Sequence, residues 1–268
     1  MTAKEEELAQ QLAVNPKFNG RPPPFPRLVS ESHPDVYFVG HHNEKTFGAI
    51  PYLVKSSEGW ILVDVPKCTK AAKEVVESLT GPEGPAYMML THVDDTTGHN
   101  EWKETYPKMQ RIFHAGDLGR HNWLGDQTLE DVEILLEAKT KSGEKLQFFD
   151  LKGNSLDGVD GREVVLVHTP GHSPGSLSLW KLPSESEGGV LFTGDTYAYT
   201  TRDGGHMTSF PRYGKNHAQQ RDTLTKLAEL DFDLVAPGHG HPREYSSGAS
   251  TTTQQHLEDM QPALQELR

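Results

Sequence analysis

Short apolar runs rich in Val, Ile, Leu and aromatic residues punctuate this chain, and each is ended by a polar break or a Gly/Pro turn. Runs of this length and composition predict strands buried on both faces. They place strands at Val36–Val39, Ile50–Val54, Trp60–Val65, Tyr87–Leu90 and Ile112–Phe113, and near 147–150, 163–168, 176–181 and 189–193. Lys55–Gly59 reads as a turn that joins the second and third of these into a hairpin. Between strands the apolar spacing becomes helical. Ala71, Ala72, Val75, Val76 and Leu79 predict a helix closed by Gly81-Pro82, and a second helix begins near Thr97. Thr128 is expected to cap a third over Leu129–Ala138, with Leu129, Val132, Leu135 and Leu136 as its stripe. Leu224, Leu227 and Leu230 mark a fourth, and residues 251–268 a last. The pattern is α/β, with no linker long enough to divide it. It predicts a single domain over 31–268, preceded by an arm at 1–30 that is first polar and helical, then proline-rich and extended.

Chemistry gathers where the strands stop. Tyr87–Leu90 leads into Thr-His92-Val-Asp94-Asp95-Thr-Thr-Gly-His99, and Val164–Val167 into His168-Thr-Pro-Gly-His172. Val190–Phe192 leads into Thr-Gly-Asp195, and Leu234-Val235 into Ala-Pro-Gly-His239. Ligand and metal sites of layered α/β proteins lie at the loops leaving the carboxyl ends of strands, and glycine and proline let such loops turn tightly. Four loops of one grammar, each carrying imidazole or carboxylate, imply one shared metal site. Asp94 and Asp95 could alternatively cap the helix that follows, and His99 could be a surface residue of it.

Composition narrows the classes. Formal net charge is −12, which disfavours a nucleic-acid partner. No apolar run approaches the roughly 18 residues needed to span a bilayer. Cys68 is the one cysteine, so an intramolecular disulfide and an iron–sulfur cluster are both excluded, and a reducing compartment fits. The acidic amino terminus is neither a secretory signal nor an Arg-rich transit peptide. The expected location is the cytoplasm, or the plastid stroma where a transit peptide has been removed. A homodimer stays open.

Asp64, the His92 cluster, Thr-Pro-Gly-His172, Thr-Gly-Asp195 and Pro-Gly-His239, in this order, resemble the metallo-β-lactamase superfamily over residues 36–242. The resemblance implies an αββα sandwich of two mixed sheets with helices outside and a metal site at one rim. Phe47–Val54 with His92-Val-Asp-Asp further resembles a branch from cyanobacteria and plastid-bearing organisms. The departure lies in the superfamily pattern His-x-His-x-Asp-His, which lands here on His92, Asp94, Thr96 and Thr97. A carboxylate replaces the second histidine, and Thr-Thr replaces the Asp-His pair that feeds a second metal. Asp95 and His99, four residues apart, would share a helix face and could rebuild that second site.

The implied ligand set is therefore His92, Asp94, Asp95, His99, His172, Asp195 and His239, with catalytic roles for Asp195 and Asp95. Asp64 and His168 are expected behind the ligands, and Tyr197 and His206 in the substrate wall. The implied cofactor is one or two divalent ions, zinc first and iron or manganese next. A divalent ion lowers the pKa of a bound water to about 7. A metal-dependent hydrolase of a small ester, thioester or lactone is the leading expectation. A diiron redox protein of the flavodiiron type and a non-catalytic scaffold with a degenerate site are the alternatives.

Overall fold

Two seven-stranded sheets face each other in the computed structural model, which describes residues 25–40, 49–137, 140, 143–245 and 253–268. The first sheet runs in chain order: β1 Arg27–Leu28, β2 Val36–Phe38, β3 Tyr52–Ser56, β4 Gly59–Val63, β5 Tyr87–Met89, β6 Gln110–His114 and β7 Ile134–Leu136. β1 to β4 pair antiparallel, whereas β4 to β7 pair parallel. The second half contributes β8 Phe148–Phe149, β9 Ser155–Leu156, β10 Val164–His168, β11 Leu177–Lys181 and β12 Val190–Gly194. A ribbon follows, β13 Ala198–Thr200 and β14 His206–Thr208, and then β15 Leu234–Pro237 and β16 Arg243–Glu244. The second sheet is ordered β16-β15-β12-β11-β10-β8-β9, with β12 and β15 parallel. Both sheets are mixed, as the αββα sandwich requires.

Strand parity sorts the apolar residues into layers. Val164 and Leu166 of β10 join Tyr52, Ile61, Met89 and Ile112 between the sheets. Their neighbours Val165 and Val167 point the other way, into a cluster with Leu224, Leu227 and Met260. Those residues come from α3 His217–Leu227 and α4 Thr253–Glu266. The outer face of the first sheet, with Leu53, Leu62 and Met88, is covered by Ala72 and Val76 of α1 Lys70–Thr80 and Trp102 of α2 His99–Thr105. α1 begins where the Thr69 hydroxyl accepts the Ala72 N–H at 3.1 Å and stops at Gly81, whose φ of 76° a side chain would resist.

One predicted element is overturned. The helix expected over Leu129–Ala138 is a 3₁₀ turn, Gln127–Asp131, followed by β7, and Asp126 rather than Thr128 caps the turn. Ala138 lies outside the described residues. The spacing satisfied a helical period, but Ile134 and Leu136 face the inter-sheet core while Leu135 packs against the outer cluster, which is a strand's alternation. Parallel pairing with β6 supplies the backbone hydrogen bonds that a helix would have made. Of the amino-terminal arm, Arg27–Leu28 pairs as the edge strand, and the helix expected before residue 25 lies outside the described residues. The polar passage after Asp195 carries the β13–β14 ribbon, which periodicity did not disclose.

Candidate metal centre

Four loops bring their side chains to one rim of the sandwich, each positioned by the strand before it. His92 follows β5 and opens a 3₁₀ turn, Val93–Asp95. The Thr91 N–H donates to Asp64 Oδ1 at 2.8 Å, and the Thr91 hydroxyl lies 3.0 Å from Asp64 Oδ2 and 3.0 Å from His92 Nδ1. A hydroxyl has one proton. Given to Asp64, it obliges Thr91 to accept from His92 Nδ1–H, which leaves the Nε2 lone pair facing the site. Asp64 thus stands behind a ligand, acting through Thr91.

His172 sits in the turn after β10, where Gly171 (φ 143°) packs so closely on Gln220 of α3 that a Cβ would strike its backbone. Asp195 follows β12. Gly238 lets the β15 loop pass beside it, since a Cβ there would lie 3.0 Å from Asp195 Oδ1. The rings of His92 and His172 meet edge to face at 4.8 Å.

Two ligand groups result, sharing Asp195. In the first, Asp94 Oδ2 lies 3.6 Å from Nε2 of both His92 and His172, and Asp195 Oδ2 lies 3.8 Å from the same two nitrogens. Metal–ligand bonds of about 2.1 Å at tetrahedral angles would set neighbouring ligand atoms about 3.4 Å apart. The second group is Asp95, Asp195 and His239, whose ligand atoms lie within 4.8 Å of one another. His239 Nδ1 is 2.6 Å from Asp195 Oδ1.

The buried atoms fit metal ions. Neither oxygen of Asp95, nor Nε2 of His92, nor either nitrogen of His172 has a hydrogen-bond partner among the described residues, although all three side chains are buried. Orphaned polar atoms at such a density are costly unless a cation completes them. Electrostatics agree. Burial resists charging His92, yet the carboxylates of Asp95, Asp94 and Asp195 hold its pKa well above the ordinary value. Burial likewise opposes charging His239, but Asp195 and then Asp95 raise it to about 10. Burial drives the Asp95 carboxyl well up, against the pull of His92 and His239. Protons here stand in for the positive charge that the carboxylates demand, and a divalent ion would displace them.

His99 goes elsewhere. The expectation that Asp95 and His99 share a helix face fails because Asp95 ends the 3₁₀ turn, and α2 starts anew after Gly98 at φ 99°. The Arg111 guanidinium donates to His99 Nδ1 at 3.0 Å, so Nε2 carries the proton and donates to Asp126 Oδ2 at 3.2 Å. With both nitrogens engaged, His99 has no lone pair for a metal. Tyr197 is not in the substrate wall either: it is fully buried within the cluster beneath α4. His168 lies behind the His172 loop, with its Nε2 3.0 Å from the Pro174 carbonyl and its ring stacked on His114 at 4.1 Å. His206 does line the cleft, facing Glu266 of α4 at 4.0 Å.

The cleft above the ligands encloses roughly 910 Å³, and Asp94, Asp195 and His239 form part of its lining. Trp123, Phe210 and Tyr213 give it aromatic walls. Sequence reasoning missed Asp117. Its Oδ2 accepts from the Val93 N–H at 3.1 Å and the Ser173 hydroxyl at 2.7 Å, and its Oδ1 from the Gly175 N–H at 2.6 Å. One buried carboxylate thereby locks the His92 turn to the His172 loop. The signal was present, because His114-Ala-Gly-Asp117 follows β6 with the same strand–glycine–aspartate grammar.

Comparison with known proteins bears on the fold. DIM-1 metallo-beta-lactamase, in a crystal exposed to ceftazidime, superposes with a TM-score of 0.56 at 14% identity, over 90% of this chain and 98% of that one. A metallo beta lactamase from Hirschia baltica gives 0.54 at 15% identity, over 87% and 94%. The class B3 di-zinc metallo-beta-lactamase LRA-12, from an Alaskan soil metagenome, gives 0.52 at 16%, over 87% and 90%. At these identities the likeness speaks for the fold alone. No curated protein matches the sequence. The family model of the metallo-beta-lactamase superfamily matches residues 51–239, a stretch that begins one residue before β3 and ends on the last of the converging candidate ligands. With that match, the sandwich and the rim of imidazoles and carboxylates have one source: the chain belongs to the metallo-beta-lactamase superfamily.

Proposed function

We propose that this chain is a metal-dependent hydrolase of a small ester, thioester or lactone. The observation that carries the reading is the pair of ligand groups joined through Asp195 on the floor of a cleft of small-molecule size. A bound divalent ion would supply Lewis acidity and a water of depressed pKa. The protein's own residues set the stage for that chemistry. Thr91 and Asp64 fix the His92 tautomer, so that Nε2 is the atom offered. Asp195 spans both groups, one oxygen toward His239 and the other toward His92 and His172. Asp95 gives the second group a buried carboxylate that can hold a proton or a cation. The aromatic side chains on the cleft walls suit an apolar acyl body. Cys68 offers no rival nucleophile: it packs against the outer cluster of the first sheet, and burial raises its pKa.

One observation favours a second reading. Asp94, a carboxylate in a histidine's place, hardens the first group and moves its preference toward iron or manganese, as a diiron redox protein would need. Metal analysis followed by activity separates the two. Protein stripped with chelator would be reconstituted with zinc, manganese or iron, then assayed against a thioester, a lactone and a phosphodiester. Hydrolysis of thioester or lactone that returns with zinc or manganese supports the proposal. Failure on all three substrates with every metal, or activity confined to redox-active iron, sinks it.

A further inference from the structure

Trp123 is an oddity. It is 40% exposed, one of three large hydrophobic side chains left open among the described residues, yet it stands at the cleft directly over a ligand. Its loop is built to aim it: the Gly125 N–H donates to the Asn122 carbonyl at 3.1 Å, and Asn122 Nδ2 donates to the Asp126 carbonyl at 2.7 Å. The indole N–H donates to Asp94 Oδ1. The two oxygens of Asp94 are therefore divided, Oδ1 outward to the indole and Oδ2 inward, 3.6 Å from both His92 Nε2 and His172 Nε2.

That division matters because Asp94 occupies a histidine's position. An imidazole nitrogen offers one lone pair along one direction. A carboxylate can turn both oxygens to an ion and take two coordination positions. A donor fixed on Oδ1 opposes that turn. The indole has its own support, since Lys215 Nζ lies 4.3 Å from the centre of the Trp123 ring. A cation over the ring face draws electron density and strengthens donation by the N–H. Lys215 is itself tied to the His172 loop, because its backbone N–H donates to the carbonyls of Gly171 at 3.2 Å and His172 at 3.0 Å. The chain of contacts runs from one ligand loop through Lys215 and Trp123 to the ligand on the other.

We propose that Trp123, backed by Lys215, is a positioning residue that holds Asp94 to a single oxygen facing the first ligand group. The proposal rests on the reading that this group binds a divalent ion. It makes the tryptophan the partner of the His-to-Asp departure.

The test uses the full chain, stripped and titrated with zinc ion against a chromophoric chelator, and separately with cobalt(II) ion followed by visible absorption. Trp123→Phe keeps an aromatic side chain but removes the indole N–H together with the five-membered half of the ring system, so an Asp94→His background serves as the control for lost ring area. Trp123→Phe is expected to weaken the tighter zinc site about tenfold. It should also lower the intensity of the cobalt bands, as Asp94 turns both oxygens inward and the coordination number rises. Lys215→Met should do the same to a smaller degree, about two- to threefold. In an Asp94→His background, where no second oxygen needs restraint, Trp123→Phe should alter zinc affinity by less than about twofold. Wild-type affinity and a wild-type cobalt spectrum in Trp123→Phe would overturn the proposal and leave the metal site standing. So would an equal loss in the Asp94→His background, which would make Trp123 a wall residue only. Should the wild type take up neither zinc nor cobalt, the metal reading falls first and the proposal with it. Matching thermal unfolding of the metal-free wild type and variants separates these outcomes from misfolding.

Discussion

The two ligand groups share Asp195 and little else. In the first, His92 is braced through Thr91 to Asp64 and Asp94 by Trp123, while the His172 loop, though not its imidazole, is braced through Ser173 to Asp117. The second has three donors, and its carboxylate Asp95 accepts no hydrogen bond at either oxygen among the described residues. The resemblance read from the sequence would put an aspartate and a histidine at Thr96 and Thr97. The buried Thr96 hydroxyl merely donates to the Val93 carbonyl at 3.1 Å. The difference teaches that a metal site consists of its braces as much as its ligands, and the first group should hold its ion far more tightly than the second.

The largest effect should come from the residue common to both. Asp195→Ala is expected to leave less than one tightly bound ion per chain and to cut hydrolysis by about a thousandfold or more, read by elemental analysis and initial rates. Two ions retained would mean that the groups do not share it. His239→Ala removes a donor of the second group and leaves every donor of the first in place, though it frees one oxygen of the shared Asp195. The tighter ion should stay while the weaker is lost, with activity falling about a hundredfold. If the tighter ion were lost as well, the ranking of the two groups would be reversed. Asp117→Asn tests the bracing of the first group without altering any ligand. One of three accepted hydrogen bonds becomes a clash of donors, at a cost of about 2–3 kcal/mol in unfolding free energy and about tenfold in affinity for the tighter ion. A variant that lost stability but kept the tighter ion's affinity would make Asp117 a structural staple only.

Much of this arrangement could be read from the chain, and the reasons are local. β5, β10, β12 and β15 are apolar runs whose ends carry their own ligands, so strand prediction and ligand prediction were one step for His92, His172, Asp195 and His239. His99 was misassigned because spacing along a helix says nothing about where the helix begins, and Gly98 restarts it after Asp95 is already placed. Tyr197 follows Asp195 by two residues, but the chain turns there and buries the ring. The stretch Leu129–Leu136 met two periodicities, and the neighbour that chose between them, β6, is distant in sequence. Asp117 could have been found from the strand–glycine–aspartate grammar after β6, but Trp123 acts on a partner 29 residues away and no short motif announces that contact.

The smallest expected effect concerns a pair of histidines that serves only the first group. His114 and His168 stack with ring centres 4.1 Å apart and planes within 12°. The Gly116 N–H donates to His114 Nδ1 at 2.9 Å, and His168 Nε2–H donates to the Pro174 carbonyl in the His172 loop at 3.0 Å. Burial lowers the pKa of both rings, and His168 beside it helps carry that of His114 down to about 3. A folded pKa below the unfolded value of about 6.5 means that the unfolded chain takes up protons first as pH falls. The stability from keeping His114 neutral is thus fully present above about pH 6.5 and is lost as pH drops toward 3. Between pH 7 and 5 the loss from His114 alone is about 2 kcal/mol. Thermal unfolding in chelator, which removes any contribution from bound ions, should show a shallower decline over that range for His114→Gln than for wild type. Parallel slopes would mean that the carboxylates carry the acid sensitivity and that the stacked pair contributes nothing to it. If the slopes diverge, the acid-sensitive brace lies behind His172, and the β15 loop that carries His239 should lose protection from hydrogen exchange at a lower pH than the His172 loop.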